Sequence, residues 1–233
     1  EVSSTLAQHE EERNKLEKMR NEWISNVSHD IKTPLASIRG YAELLKDGHV
    51  TTSERQHYAD IIERKSLYMK DLLDDFNLTM RLRNEAMPLN RQLTDINMFV
   101  RELIISVLND PDYTERDISF NEAEEAITWE IDQHLMRRAL LNFIYNALVH
   151  NDEDVQLIIT VKANEIAIED NGKGIAKEDL PHIFDRYYRG TDTEHIQGTG
   201  LGTAIAHDIV LAHQGDIAID SELGKGTKIY ITW

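Results

Sequence analysis

One histidine in the N-terminal part of the chain has neighbours suited to phosphoryl chemistry. His29 is followed directly by Asp30, and Thr33 lies four residues beyond the histidine. A neutral imidazole is a competent nucleophile toward phosphorus, and an adjacent carboxylate can fix its tautomer and accept its proton. A hydroxyl one helical turn away can position a water for the reverse, hydrolytic reaction. An ordinary exposed histidine is the alternative interpretation.

A second group of residues suits a nucleotide with bound Mg²⁺. Asn142 and Asn146 are four residues apart in an apolar segment, and an amide oxygen is a suitable ligand for Mg²⁺ that keeps its waters and phosphates. Asp170 ends a predicted strand, where it can accept a hydrogen bond from an adenine amino group while Gly172 and Gly174 let the ring approach. Each pattern alone is weak, since paired amides also occur on surfaces and Asp-x-Gly-x-Gly is often only a turn.

A glycine-rich run precedes a predicted helix and indicates where phosphates would bind. Gly198, Gly200 and Gly202 alternate with Thr199 and Leu201. Backbone N–H groups at a helix N-terminus form a cradle for anions. The run lacks the Gly-Lys-Ser/Thr of a Walker A loop and does not end an early strand as a Rossmann fingerprint does. A flexible hinge is the alternative interpretation.

Composition restricts how such a site works. The 233 residues carry a formal net charge of −17 and no cysteine. So acidic a surface repels nucleic acid and anionic lipid, which argues against both as partners. It repels ATP as well, so a nucleotide site must rely on a metal ion, backbone N–H groups and a few local cations. No apolar run approaches the ~20 residues of a membrane span.

A helical hairpin must position the histidine. Apolar residues recur every three or four positions over 24–45, which predicts an amphipathic helix. A break at 46–49 precedes a second amphipathic helix that reaches Met80. His29 falls opposite the apolar stripe, and Pro34 predicts a bend just beyond it. A lone hairpin leaves much of its apolar face wet, so we expect two chains to pair into a four-helix bundle.

The remaining patterns divide the chain into domains. Residues 1–20 are highly charged and predict either a coiled-coil lead-in or a solvated helical arm. The periodicity lapses around 83–93, where Pro88 indicates a boundary. The hairpin domain is therefore expected over 21–85 and a second domain over 86–233.

The order of predicted strands and helices in the second domain indicates an α/β sandwich, one sheet with helices on one face. The fold class of the whole chain is therefore α+β. Helices are predicted at 95–108, 132–150 and 201–214. Strands are predicted near 117–121, 126–130, 155–161, 165–170, 216–220 and 226–232.

Together these motifs resemble those of the sensor histidine kinases of two-component systems. That family combines a HisKA dimerisation and phosphoacceptor domain with a GHKL-type (Bergerat) ATP-binding domain. The segments that resemble its H-box, N-box, G1 box, F-box and two further glycine boxes are residues 28–35, 134–147, 168–175, 183–190, 198–202 and 224–227.

The resemblance implies ATP-dependent autophosphorylation of His29, with Asp30 as general base, and transfer to an aspartate of a response regulator. It implies that Thr33 helps to hydrolyse the phosphorylated regulator and that Asn146 coordinates Mg²⁺. It also implies the cytoplasmic portion of a receptor anchored in the membrane upstream. The other nucleotide-binding positions that it implies are Asn142, His150, Asp170, Gly172, Gly174, Ile175, Tyr188, Arg189, Gly198, Thr199, Gly200, Leu201, Gly202 and Thr227. Ordinary packing is the alternative for the tyrosine of this set.

Two positions bear on the alternatives. Gyrase- and MutL-type ATPases, which share this pocket, carry a water-activating glutamate where this chain has Asn142, which favours a kinase over an ATP-driven machine. The family often has Lys or Arg where this chain has Val149. A signalling adaptor with a weakened nucleotide site, or a phosphatase-dominant member, are therefore the alternative functions.

Overall fold

The computed structural model describes residues 24–25, 27–46, 48–82, 88–185 and 201–233. The chain divides into two compact units, Glu1–Asn77 and Leu78–Trp233. None of the helices described is long and apolar enough to cross a membrane. The predicted lead-in over residues 1–20 lies outside the described residues.

The predicted helical hairpin lies in the first unit, apart from the end of its second helix. Helix α1 is helical at residues 24–25 and 27–44, and α2 spans Thr52–Leu82. Thr51 and Glu54 form a capping box at the start of α2: the Glu54 N–H donates to Oγ1 of Thr51 (3.2 Å), and the Thr51 N–H donates to the Glu54 carboxylate (2.9 Å). The rings of Tyr41 and Tyr58 pack 5.4 Å apart between the two helices. The predicted break near residues 46–49 is confirmed.

A single hairpin leaves part of its apolar stripe exposed. On α1, Val27 and Pro34 are buried, whereas Ile24 and Leu35 are 46% and 51% exposed. On α2, Leu67 is 55% exposed. The stripe is therefore only partly covered within one chain.

The second unit is built on a five-stranded mixed sheet with strand order β2-β4-β5-β7-β6. β2 and β4 are parallel, and each later neighbouring pair is antiparallel. The strands are β2 (Asp117–Asn121), β4 (Gln156–Lys162), β5 (Glu165–Asp170), β6 (Asp216–Glu222) and β7 (Gly226–Thr232). Alternate residues such as Leu157, Ile159 and Val161 are buried, so one face of the sheet forms the core.

Three helices complete this core: α3 (Ile96–Leu108), α4 (Gln133–Val149) and α5 (Gly202–Ala212). Asp95 caps α3 by accepting from the Met98 N–H (2.9 Å), and Asp132 caps α4 by accepting from the Leu135 N–H (3.2 Å). A short 3₁₀ helix spans Leu180–His182. The α+β class with a helical hairpin and an α/β sandwich is confirmed.

The prediction of a single sheet is incomplete. A two-stranded sheet joins β1 (Gln92–Asp95) to β3 (Thr128–Ile131), and the predicted strand at 126–130 is shifted accordingly. The helix predicted from residue 95 begins one residue later. In β1 only Thr94 is buried and Leu93 is 76% exposed. The four residues therefore lack the alternation that marks a half-buried strand, and pairing with β3 decides their conformation.

Candidate nucleotide site and phosphoacceptor helix

Three polar side chains form one row across the sheet of the second unit. Asp170 on β5 is directly opposite Thr227 on β7, which is opposite Ser221 on β6. By strand alternation the row shares its face with Ile168 and Ile229, which are paired two residues along. Asp170 and Ser221 are each 8% exposed. The apolar core of the sheet thus ends in a polar row beneath the helices.

The Asp170 carboxylate is held by several donors. Its Oδ1 accepts from the Gly172 N–H (2.9 Å) and from Nδ2 of Asn151 (3.3 Å). Burial raises the pKa of the Asp170 carboxyl above its usual range, and the Glu169 charge acts in the same direction. Hydrogen bonds from the backbone of Gly172 and Thr227 and from Asn151 lower the pKa and partly offset that effect. The result is a buried acceptor suited to an amino group.

The loop after Asp170 is fastened to β6. The Ile175 N–H donates to Oγ of Ser221 (2.8 Å), and the Ser221 hydroxyl also contacts the Gly226 carbonyl (2.9 Å) and Oγ1 of Thr227 (2.9 Å). Gly174 has φ +70°, and a Cβ there would overlap the carbonyl oxygen of Glu222. Only glycine allows this close approach of loop and strand.

The two asparagines of α4 meet the start of α5. Nδ2 of Asn146 donates to Oδ1 of Asn142 (3.2 Å) and to Oγ1 of Thr203 (3.2 Å). A Cβ on Gly202 would overlap the Asn142 amide, so the N-terminus of α5 lies directly against this pair. Both described hydrogen bonds of Asn146 use its nitrogen, which leaves the oxygen as the atom suited to a cation.

A divalent cation at Asn146 would need most of its ligands from the nucleotide and from water. No group of three or more His, Asp or Glu side chains among the described residues is placed to hold a metal. Mg²⁺ typically takes one or two protein oxygens and completes its shell with water and phosphate. The amide oxygen of Asn146 beside a helix N-terminus meets that requirement, because phosphate and metal would bind together.

The far end of α4 carries two further positions of the predicted site. His150 caps the helix, and burial, with a smaller contribution from the Lys173 charge, lowers the pKa of its imidazole. The position that the family often fills with Lys or Arg is Val149, an uncharged residue that is 43% exposed. His150, Asn151, Gly172 and Lys173 contribute to the lining of a cavity of ≈ 330 Å³.

The structure thus brings together Asn142, Asn146 and Gly202 at one end of the site and Asp170, Gly172, Gly174, Ile175 and Thr227 at the sheet. Leu201 immediately precedes α5 and is buried. Tyr188, Arg189, Gly198, Thr199 and Gly200 lie outside the described residues.

In the first unit, His29 projects from α1 with 81% of its side chain exposed, as helix geometry predicts. Its Nδ1 lies 3.5 Å from Oδ1 of Asp30, and the Thr33 hydroxyl donates to the His29 carbonyl (3.3 Å). The helix continues through Pro34, and the bend there stays a prediction. An accessible imidazole, a neighbouring carboxylate and a hydroxyl thus share one helical turn.

The sequence patterns did not indicate three further site residues, Asn151, Thr203 and Ser221. Ser221 could have been found, because a hairpin turn centred on Gly224 places it opposite Thr227. Asn151 could not, since its contacts join the end of α4 to a loop that follows another strand.

Two family profiles match this chain. Residues 19–85 match the His Kinase A (phospho-acceptor) domain, and residues 131–233 match the histidine kinase-, DNA gyrase B-, and HSP90-like ATPase family. The two matches contain the histidine helix and the nucleotide-site candidates respectively. The chain belongs to the sensor histidine kinases.

Similar proteins agree with this placement. Sensor histidine kinase YvrG of Bacillus subtilis (strain 168) is 40% identical over 238 residues, covering 99% of this chain and 41% of the relative. Sensor protein kinase WalK of Staphylococcus aureus is 33% identical over 232 residues, covering 95% of this chain and 55% of the relative. The chain therefore spans roughly half the length of these relatives.

A solved structure shows the same fold. Histidine kinase ThkA, in complex with response regulator protein TrrA, superimposes with a TM-score of 0.67 at 20% identity, covering 96% of this chain and 65% of that chain.

Proposed function

We propose that this chain uses Mg-ATP to phosphorylate its own His29 and then passes the phosphoryl group to an aspartate of a response regulator. One observation carries the proposal: a polar row with a buried carboxylate and an amide pair at a helix N-terminus lie in one unit, while the other unit exposes an imidazole beside a carboxylate. In the reaction a ring nitrogen of His29 bonds to the γ-phosphorus. The bond from that phosphorus to the β–γ bridging oxygen breaks, and ADP leaves.

The nucleotide would lie between the sheet row and α5. Asp170 accepts the adenine amino group, and the backbone N–H groups at the start of α5 bind phosphate oxygens. Asn146 would hold Mg²⁺ through its amide oxygen, and the ion, when bound, neutralises charge on the β- and γ-phosphates. This arrangement agrees with the formal net charge of −17, because dipoles and a metal replace a basic surface.

The histidine helix supplies the nucleophile and its base. A small side-chain rotation brings Asp30 into hydrogen-bonding contact with Nδ1 of His29, now 3.5 Å away. The carboxylate then orients the proton at Nδ1, leaves the lone pair on Nε2 for attack, and accepts that proton as the nitrogen–phosphorus bond forms. Phosphoryl transfer is otherwise chiefly a matter of positioning and charge stabilisation.

The chemistry at Asn142 favours kinase over hydrolase. An amide is not a general base, and Oδ1 of Asn142 already accepts from Asn146. A water near the γ-phosphate therefore lacks an activating carboxylate at this position, and bound ATP is kept for another nucleophile.

Two partners follow from the first unit. The exposed Ile24, Leu35 and Leu67 support a homodimer through α1 and α2, since pairing two hairpins covers this apolar surface. The receiver domain of a response regulator is the proposed acceptor, as the complex of ThkA with TrrA illustrates for that kinase. The cytoplasmic placement implied by the family resemblance stays a prediction.

We also propose phosphatase activity toward the phosphorylated regulator. Thr33 is exposed and lies one turn from His29, where its hydroxyl can position a water. Thr33→Ala should slow dephosphorylation of a purified phospho-regulator while autophosphorylation continues. Equal dephosphorylation rates in Thr33→Ala and wild type would exclude this role.

The test of the main proposal measures whether the γ-phosphate of ATP is transferred to the protein or released as free phosphate. Protein is incubated with γ-labelled ATP and Mg²⁺, and protein-bound label and free phosphate are measured together. We expect acid-labile label on the protein, lost in Asn146→Ala and retained in Asn121→Ala, an exposed asparagine on β2 that bonds Thr160. Phosphate release without protein label would indicate a hydrolase. Neither label nor nucleotide binding would indicate the adaptor alternative.

A further inference from the structure

Asn151, immediately beyond α4, uses its whole side-chain amide to join three parts of the second unit. Nδ2 donates to the Ala147 carbonyl on α4 (2.9 Å) and to Oδ1 of Asp170 at the end of β5 (3.3 Å). Oδ1 accepts from the Lys173 N–H in the following loop (2.9 Å). Both N–H donors and the carbonyl acceptor are engaged, so the amide has one orientation.

The loop is shaped around this amide. Gly172 packs against Asn151 so closely that a Cβ on the glycine would overlap the amide group. The Gly172 N–H also donates to Asp170 (2.9 Å). Asn151 and Gly172 therefore place two donors on the same carboxylate oxygen and fix the plane of that carboxylate.

We infer that Asn151 is a positioning residue that makes the site select adenine over 6-oxopurines. The inference rests on the proposed function, in which Asp170 reads the base. An ionised, fixed carboxylate can only accept hydrogen bonds, so it matches an exocyclic amino group and repels a carbonyl oxygen at the same ring position. A neutral carboxyl group can donate to that carbonyl and loses the distinction.

The Asn151 donor is needed because other influences raise the pKa of Asp170. Burial raises the pKa of the carboxyl group, and Glu169 on the same strand raises it further. The Asn151 amide and the backbone of Gly172 and Thr227 act in the opposite direction. Removal of the Asn151 donor therefore favours the neutral carboxyl, the form that accepts the wrong base.

A matched asparagine separates this role from ordinary loop anchoring. Nδ2 of Asn97 on α3 donates to the Ala123 carbonyl (3.0 Å), and its Oδ1 accepts from the Ala123 N–H (3.1 Å). Like Asn151 it is half-buried, and both the nitrogen and the oxygen of its amide form hydrogen bonds with backbone groups. Its described bonds are to backbone only, so it serves as the control for the loss of structure alone.

The experiment measures equilibrium binding of ADP and inosine diphosphate, each with Mg²⁺, to the full chain. Wild type should prefer ADP. Asn151→Ala should lower the ratio of the dissociation constant for inosine diphosphate to that for ADP about tenfold, the effect expected for a hydrogen bond to a charged group. Asn97→Ala should keep the wild-type ratio. A thermal melt of each variant reports the accompanying loss of stability.

Asn151→Leu keeps a similar side-chain volume and covers the case in which the alanine variant does not fold. Leucine offers no donor to Asp170, so this variant should also relax selection. An unchanged ratio in a folded Asn151 variant, with stability lost as in Asn97→Ala, would overturn the inference. Wild type that binds neither diphosphate would overturn the nucleotide site and this inference together. Normal ADP selection without phosphorylation of His29 would contradict only the proposed kinase reaction.

Discussion

The Asp170 carboxylate and the Thr227 side chain are directly opposed across β5 and β7, on the face of the sheet that packs against the helices. Their neighbours on the other face, Glu169 and Lys228, form an ion pair at 2.8 Å. The two faces of the sheet therefore differ at this end of β5: one has a buried hydrogen-bond acceptor and the other has a solvated salt bridge. A base bound at Asp170 must approach from the helical side.

This opposition provides a matched pair of substitutions. Asp170→Asn should weaken ADP binding about tenfold or more, because an acceptor with negative charge is lost where the amino group binds. Glu169→Gln removes an adjacent carboxylate on the opposite face and should change affinity less than about twofold, since a surface ion pair contributes little. Isothermal titration with ADP measures both. Equal losses in the two variants would mean that charge in general, not contact with the base, governs affinity.

The contact between Gly202 and Asn142 is a second point of sensitivity. A Cβ on Gly202 overlaps the Asn142 amide, so Gly202→Ala must displace either the amide pair or the start of α5. We expect a stability loss of about 1–3 kcal/mol, as for other overpacked sites, and loss of nucleotide binding. Urea unfolding and ADP titration measure the two effects.

Gly40→Ala is the control for Gly202→Ala. Gly40 lies in α1, and a Cβ added there would meet no neighbouring atom within 4 Å beyond the backbone of its own helix. Alanine at this position should therefore raise helix stability by about 0.5–1 kcal/mol. Restoration of binding by Asn142→Ala in the Gly202→Ala background would contradict a role for Asn142 in the site.

Val149 offers a gain-of-function test. This residue is 43% exposed at the last position of α4, where a cation also interacts favourably with the helix C-terminus. Val149→Lys should tighten ATP binding about twofold to tenfold by adding a cation where the family often has Lys or Arg. Val149→Leu, which changes shape without charge, should leave affinity unchanged. Equal affinities for Val149→Lys and wild type would show that this position does not face the phosphates.

The buried His213 makes the stability of the second unit dependent on pH. Its Nδ1 bonds the Ile209 carbonyl (2.7 Å), while Nε2 accepts from the Asp132 N–H (2.9 Å), so the folded state requires the neutral ring. Burial, with a contribution from Arg91, lowers the pKa of His213. Protons therefore bind the unfolded state more tightly, and stability falls as pH drops below about 6.5 by up to about 1.4 kcal/mol per pH unit.

Urea unfolding between pH 5 and pH 8 measures this dependence. His213→Gln should flatten the part of the profile below neutral pH, and His150, whose pKa burial also lowers, should contribute in the same direction. His134→Gln, at an exposed position on α4, is the control for the substitution of a histidine as such. A profile unaffected by His213→Gln would contradict the neutral-ring requirement.

Much of the fold could be predicted because local patterns decide it. The strands β5 and β7 occur at the predicted residues 165–170 and 226–232, since each contains an Ile-x-Ile run next to a glycine-bearing turn. The strand β1 was missed because its four residues have no pattern of their own and depend on pairing with β3.

The candidate site was predictable to the extent that its residues lie in contiguous motifs. Asp170 and Asn146 are found in this way. Asn151 and Thr203 act through contacts between elements distant in sequence, which only the folded chain brings together.

The most direct test of the central claim is the location of the phosphoryl group after incubation with Mg-ATP. Acid-labile, base-stable label should be present in wild type and in His57→Gln, an exposed histidine on α2, and absent from His29→Gln, with nucleotide binding equal in all three. Label that persists in His29→Gln would contradict the assignment of His29 as the phosphorylated residue.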